Sequence, residues 1–330
     1  MLVRVGVDAS IEENVLQGFS SDVLLVRVPE EPREELEVDF WVAAMPPRIV
    51  RRQWPHLKGV KVVQLPWAGV DTLLGVFPPE VTLCDARGVH DIPTAEWTVT
   101  AILAMQKCLP FFMSMQLRGH WALGQQAQQI DHPEPLKIQP LKIKPLKIKD
   151  PPAPIRDLAG STVLIVGYGS IGQAVEARLA PFGVNFVRVA RTAHTGVAAV
   201  SELDGLLSRA EIVVLTLPLT SETRKLMNAA RIAKMKPGAL LVNAARGPLV
   251  DTDALLQALF ENRIRAATDV TDPEPLPADH PLWKAPNLLL TPHVGGDSER
   301  FLERAFRLIR EQAERFARGE PLLNVVTGEY

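Results

Sequence analysis

The chain of 330 residues has only two cysteines, Cys84 and Cys108. That is too few for a disulfide framework, so a reducing compartment and a cytoplasmic protein are expected. Positive charge is not in excess: 36 Lys and Arg against 38 Asp and Glu leave a formal net charge of −2. A nucleic-acid binder driven by electrostatics needs a basic surplus and is not expected. No apolar run is long enough to span a bilayer. Met1–Asp8 alternates like a first strand and carries no apolar signal-peptide core. What is there is globular composition, 47% hydrophobic and 22% charged, which excludes disorder as the whole account. The length suits two domains. The 28 prolines exceed the usual share of about 5%. Many fall in inferred loops, where they stiffen the unfolded chain.

Short apolar runs alternate with helical patterns along most of the chain. Residues 60–65 and 81–84 read as strands, and Pro93 opens a helix that runs to Leu109. Further on, residues 162–166, 184–189, 212–215 and 239–242 are apolar enough to be buried on both faces, as in parallel strands covered by helices. Alternating β and α elements predict an α/β fold, doubly wound and present twice. Between the halves, residues 135–149 repeat a Pro-Leu-Lys-Ile unit with period five. Proline at that frequency forbids a continuous helix. The segment reads as a basic linker or loop insertion, with an arm against a partner subunit as the sharper reading and a membrane-surface role as the third.

Gly167-Tyr168-Gly169-Ser170-Ile171-Gly172 fits G-x-G-x-x-G between an apolar strand and a helix predicted over 170–182, with Gly183 placed to end it. In a dinucleotide site the first glycine makes the tight turn, the second admits a pyrophosphate, and the third lets helix pack on strand. The N–H groups at the helix start, Ser170 and Ile171 among them, then face the anion. After the next strand an NAD site usually carries a carboxylate for the ribose. Here the segment reads Val189-Ala190-Arg191-Thr192. Arg191 and Thr192 offer donors to a 2′-phosphate, so NADP(H) is the preferred cofactor, with NAD(H) the alternative.

Three later segments carry candidate chemistry, each after an apolar run: Asn243-Ala244-Ala245-Arg246-Gly247, Asp269–Pro277, and Thr291-Pro292-His293-Val294-Gly295. Arg246, Glu274 and His293 can therefore converge where ligands of open α/β sheets bind, at the carboxyl ends of strands. Taken singly, each has a plainer reading: an ion-pair partner, a solvated carboxylate and a capped loop histidine. No metal is expected, since the cysteines are isolated and the histidines lack ligand spacing.

The order GYGSIG, NAARG, DVTDPEP, TPHVGG resembles the D-isomer-specific 2-hydroxyacid dehydrogenases over nearly the whole chain. Residues 269–282 are most similar to the glyoxylate/hydroxypyruvate reductase branch, which commonly prefers NADP. The resemblance implies a Rossmann-type cofactor domain and a flavodoxin-like substrate domain with a cleft between them. The substrate domain would be discontinuous, 1–109 with 297–330, and the cofactor domain would be 110–296. A homodimer is expected, with the 135–149 repeat where relatives form an intersubunit arm.

The resemblance also implies roles. His293 would give the proton to the carbonyl oxygen, paired with Glu274, whose charge favours the imidazolium. Arg246 would grip the carboxylate through its fork and polarise the ketone. Residues 65–71 resemble the substrate-carboxylate loop, with backbone N–H groups of Ala68 and Gly69 on the substrate. Trp67 stands where small residues are common, and would either narrow the pocket or meet an apolar tail. Asp269 would accept from the nicotinamide carboxamide. Leu217, Pro218, Thr223, Ala244, Ala245 and Gly295 would flank the cofactor. Trp121 resembles a residue that enters a neighbouring subunit's pocket in part of the branch, with ordinary packing the expected role here.

The implied activity is NADPH-dependent reduction of glyoxylate, hydroxypyruvate or a similar small 2-oxo acid to the D-2-hydroxy acid. The alternatives are an NAD-linked dehydrogenase of a larger acid, of the D-lactate or 3-phosphoglycerate type, and a dinucleotide-sensing interaction protein with weak catalysis.

Overall fold

The computed structural model describes residues 2–121, 128–129 and 154–328. The repeat at 135–149 and the side chain of Trp121 lie outside that description. The chain forms two compact units: 1–94 with 218–223 and 296–330, and 95–217 with 224–295.

The first unit is built on five parallel strands: β1 (Val3–Asp8), β2 (Val23–Val28), β3 (Phe40–Val42), β4 (Val62–Gln64) and β5 (Thr82–Cys84), in the order β2-β1-β3-β4-β5. That is the flavodoxin-like winding. The strands read as continuous apolar runs because both faces are covered. On β3, Phe40 and Val42 join Val3, Val5 and Val7 and the C-terminal helix residues Phe306 and Ile309. Trp41, between them, packs with Val63, Leu65 and Leu73 on the opposite face. The C-terminal helix, Phe301–Arg318, ends at Gly319 with φ +68°, a conformation glycine adopts without penalty.

The second unit carries seven parallel strands: β6 (Thr162–Val166), β7 (Asn185–Ala190), β8 (Ala198–Ala199), β9 (Ile212–Leu215), β10 (Leu240–Asn243), β11 (Arg265–Thr268) and β12 (Leu288–Leu290). Their order is β8-β7-β6-β9-β10-β11-β12, the Rossmann winding with its reversal between β6 and β9. Ile102 and Met105 pack with Val163, Ile165, Ile212, Val214 and Val242 on one sheet face. They come from the helix Asp91–Gln106, which begins two residues before Pro93. Proline is tolerated throughout a first turn, whose N–H groups have no intrahelical partner. No single described helix is long and apolar enough to cross a membrane.

Candidate active site

The registers of the second sheet align its carboxyl edge: Val166 pairs with Leu215, Leu215 with Asn243, Asn243 with Thr268, and Thr268 with Leu290. The loops that follow, at 167–172, 216–217, 244–247, 269–274 and 291–295, therefore leave one edge of one sheet.

At the reversal point the glycine loop has the shape its spacing requires. Gly167 has φ +101°, and a Cβ there would lie 2.6 Å from the Leu217 backbone nitrogen. A Cβ on Gly172 would meet the Gly167 carbonyl at 2.7 Å and Ile165 at 3.1 Å, so helix and strand touch through that glycine. A Cβ on Gly169 would meet nothing within 4 Å. The one glycine assigned to a pyrophosphate thus faces open space. Gly169 caps the helix Ser170–Leu179, and no side chain takes the cap hydrogen bond. Such a start is suited to an anion. Strand β7 ends at Ala190, and Arg191 and Thr192 follow it, exposed. Nearer the loop, Arg188 forms two hydrogen bonds of 2.6 Å with Glu176 and lies 5.5 Å from the Tyr168 ring centre. Thr223 Oγ1 donates to the Pro218 carbonyl at 2.8 Å, closing the turn between them.

Farther along the edge, Asn243 shapes the turn after β10. Its side-chain oxygen accepts from Ala245 N at 3.1 Å and its amide donates to the Arg246 carbonyl at 2.8 Å. Arg246 is half-buried, with Nη1 donating to the Ala245 carbonyl at 2.7 Å. Gly247 lies against the next loop: a Cβ there would sit 1.9 Å from the Thr271 carbonyl oxygen. Thr252 Oγ1 donates to the Asp272 carbonyl at 2.9 Å. These contacts fasten the arginine turn to the loop that bears Glu274. His293 Nδ1 then meets Glu274 Oε1 at 2.6 Å, with side chains 44% and 40% exposed. A carboxylate only accepts, so the proton in that bond belongs to Nδ1, and Nε2 is the nitrogen left for other chemistry.

His293 has φ +56°, a left-handed conformation that costs an L-residue roughly 1–2 kcal/mol. Asp269 offsets it. His293 N donates to the Asp269 carbonyl at 2.6 Å. Val294 N donates to its Oδ1 at 2.9 Å and Gly295 N to its Oδ2 at 2.7 Å. Thr291 Oγ1 adds a bond to Oδ1 at 2.6 Å. Sequence reasoning gave Asp269 a cofactor role and missed this one, and it missed Asn243, Thr291 and Gly247 as shaping residues. The N-x-x-R-G spacing was the available signal for Asn243; none existed for Thr291.

Trp67, Ala68 and Gly69 follow β4 at the carboxyl edge of the first unit's own sheet. Trp67 is partly buried against the core cluster that contains Trp41, and its carbonyl accepts from Ala86 N at 3.0 Å. Among the described residues no group of three His, Cys, Asp or Glu side chains could hold a metal ion.

A glycine loop open to an anion, with an arginine and a paired histidine on the same edge, defines the outline of a dinucleotide-dependent oxidoreductase. Residues 142–295 match the family model for the D-isomer specific 2-hydroxyacid dehydrogenase, NAD binding domain. The chain is 33% identical over 288 residues to an uncharacterized protein in the proB 3′ region of Corynebacterium melassecola, covering 84% of this chain and 86% of that one. It is 30% identical over 326 residues to the D-3-phosphoglycerate dehydrogenase of Methanocaldococcus jannaschii, covering 96% of this chain and only 55% of that one. A D-isomer specific 2-hydroxyacid dehydrogenase from Xanthobacter autotrophicus, solved with NADPH and MES, shares 29% identity and a TM-score of 0.75 over 99% of this chain and 100% of that one. The chain belongs to the D-isomer specific 2-hydroxyacid dehydrogenase family and is an NAD(P)-dependent oxidoreductase.

Proposed function

We propose that the chain is an NADPH-preferring reductase of small 2-oxo acids such as glyoxylate and hydroxypyruvate. The observation that carries the reading is the His293–Glu274 pair at 2.6 Å, fastened to the Arg246 turn at the carboxyl edge of the dinucleotide sheet. Gly167, Gly169, Gly172 and the helix start at Ser170 and Ile171 would hold the dinucleotide, which supplies the hydride when bound. Arg246 binds the substrate carboxylate and draws electron density toward the carbonyl oxygen. As the carbonyl carbon takes the hydride, His293 Nε2–H gives its proton to the carbonyl oxygen. Glu274 accepts from Nδ1–H and so fixes the ring with Nε2 free to donate. One hydride and one proton convert the carbonyl group to the alcohol, and the imidazole is reprotonated from solvent.

Two features support the finer choices. Arg191 and Thr192 stand directly after β7, with no carboxylate there to accept from a ribose hydroxyl and repel a phosphate. Residues 65–70 carry no cation, which disfavours a phosphate-bearing substrate. The test is the rate of glyoxylate and hydroxypyruvate reduction by wild type and Arg246→Ala. Loss of turnover in the variant with dinucleotide binding retained is the expected result. Full turnover in Arg246→Ala refutes the assignment.

A further inference from the structure

Trp97 lies on the helix Asp91–Gln106, nearly two hundred residues from the His293 loop in sequence, and no part of the mechanism above uses it. Its indole Nε1 donates to Thr291 Oγ1 at 3.0 Å, and Thr291 Oγ1 in turn donates to Asp269 Oδ1 at 2.6 Å. The polarity of this chain of bonds is forced. An indole N–H can only donate and an ionised carboxylate can only accept. The single hydroxyl proton of Thr291 therefore points to Asp269, and the indole locks the rotor that would otherwise let it turn away.

The receiving carboxylate is the group that holds the loop. Asp269 is 4% exposed. It takes the backbone N–H groups of Val294 and Gly295 on its two oxygens, while its carbonyl takes that of His293. Three successive N–H groups thus converge on one residue and keep His293 at φ +56°. Trp97 also touches the loop directly. A Cβ on Gly295 would fall 3.1 Å from Trp97 Cγ and 2.8 Å from Asp269 Oδ2, so indole, carboxylate and loop backbone are in contact. The indole itself is set by a helix whose Ala95, Ile102 and Met105 are in the core of this unit. A site residue held by packed elements keeps its geometry better than one on a loop alone.

We propose that Trp97 and Thr291 are positioning residues for His293, acting through Asp269. The proposal rests on His293 being the proton donor of the reaction proposed above. Neither residue has a part in the hydride or proton transfer proposed above. Their contribution is to fix the direction of the Asp269 bonds, and so the angle at which His293 meets Glu274 and presents Nε2.

The test uses the full-length enzyme with Trp97→Phe, Thr291→Val and Thr291→Ser. Trp97→Phe keeps an aromatic ring near Gly295 and removes the N–H together with the second ring of the indole, so the Thr291 pair isolates the bond itself. Thr291→Val keeps the shape and removes the hydroxyl, and Thr291→Ser restores it. Trp97→Phe and Thr291→Val are expected to lower kcat about tenfold while KM and dinucleotide affinity stay within about twofold. Thr291→Ser should recover most of the rate. The double variant should be no slower than Thr291→Val, because the two bonds act in series. A second readout needs no turnover. The far-downfield proton resonance of His293 Nδ1–H, assigned by its loss in Glu274→Gln, should broaden or shift upfield in Trp97→Phe and Thr291→Val and return in Thr291→Ser. A shifted resonance in an enzyme inert to every 2-oxo acid supports the relay and overturns the substrate reading instead. An unmoved resonance with unchanged kcat, or a loss that serine does not recover, overturns the relay.

Discussion

Replacing Asp269 by Asn changes one atom of the side chain and leaves its shape. The amide oxygen can take the place of Oδ1 and keep Thr291 and Val294. The amide nitrogen then faces Gly295 N, now 2.7 Å from Oδ2, donor against donor. A buried donor left without an acceptor costs about 2 kcal/mol. The two surviving bonds lose their charge assistance, about 1 kcal/mol each. The loop carrying His293 is thus weakened by about 4 kcal/mol, against a left-handed residue that strains to relax. At about 1.4 kcal/mol per factor of ten, turnover falls by roughly a hundred- to a thousandfold if most of that loss appears in the transition state. The dinucleotide would lose at most one hydrogen bond, about tenfold in affinity. The assay is initial rate with the best 2-oxo acid, together with dinucleotide titration by fluorescence. An Asp269→Asn enzyme within about threefold of wild-type turnover refutes the reasoning. So does one whose whole defect lies in dinucleotide affinity.

Other consequences follow from the same geometry. Arg191→Ser should raise KM for NADPH at least about tenfold and leave NADH unchanged, since the proposed 2′-phosphate contact is lost; equal effects on both would place the phosphate elsewhere. In the first unit, the hydrogen bonds from Arg4 hold the Asp39 carboxyl below its usual range. Stability from that pair is present above the unfolded Asp value of about 4 and is lost as pH falls through the lower folded value. The stability gap between wild type and Asp39→Asn, read by urea unfolding, should therefore be full at pH 7 and close under strong acid; a constant gap contradicts it. Burial pushes the Cys84 thiol up to about 12, so a thiol reagent at neutral pH should label it only on unfolding, and prompt labelling of the native enzyme would show that β5 opens.

Much of this site is legible in sequence because its chemistry is local. The strands Thr162–Val166 and Ile212–Leu215 stand where the unbroken apolar runs put them, since parallel strands buried on both faces leave no polar alternation to blur their ends. The glycine loop announces itself for the same reason: three backbone requirements fall within six residues. The helix predicted over 170–182 is α-helical to Leu179 and tightens to a 3₁₀ turn over Ala180–Phe182 before Gly183 at φ +69°, a tightening that residue spacing does not encode. The two-residue strands Leu36–Glu37 and Leu57–Lys58, which pair with each other, are too short for any periodicity to reveal. Least legible is the bond between Trp97 and Thr291. A tryptophan on an apolar helix reads as packing, and nothing local marks which hydroxyl its N–H will find. Long-range polar pairs of this kind are decided by the fold once the sheet has brought their loops to one edge.

The central claim is tested most directly by following NADPH and NADH oxidation side by side with glyoxylate, hydroxypyruvate, pyruvate and 3-phosphohydroxypyruvate. Fast turnover of the two small acids with NADPH and slow turnover with NADH is the predicted result. Turnover confined to 3-phosphohydroxypyruvate with NADH would contradict both the small-acid reading and the role given to Arg191.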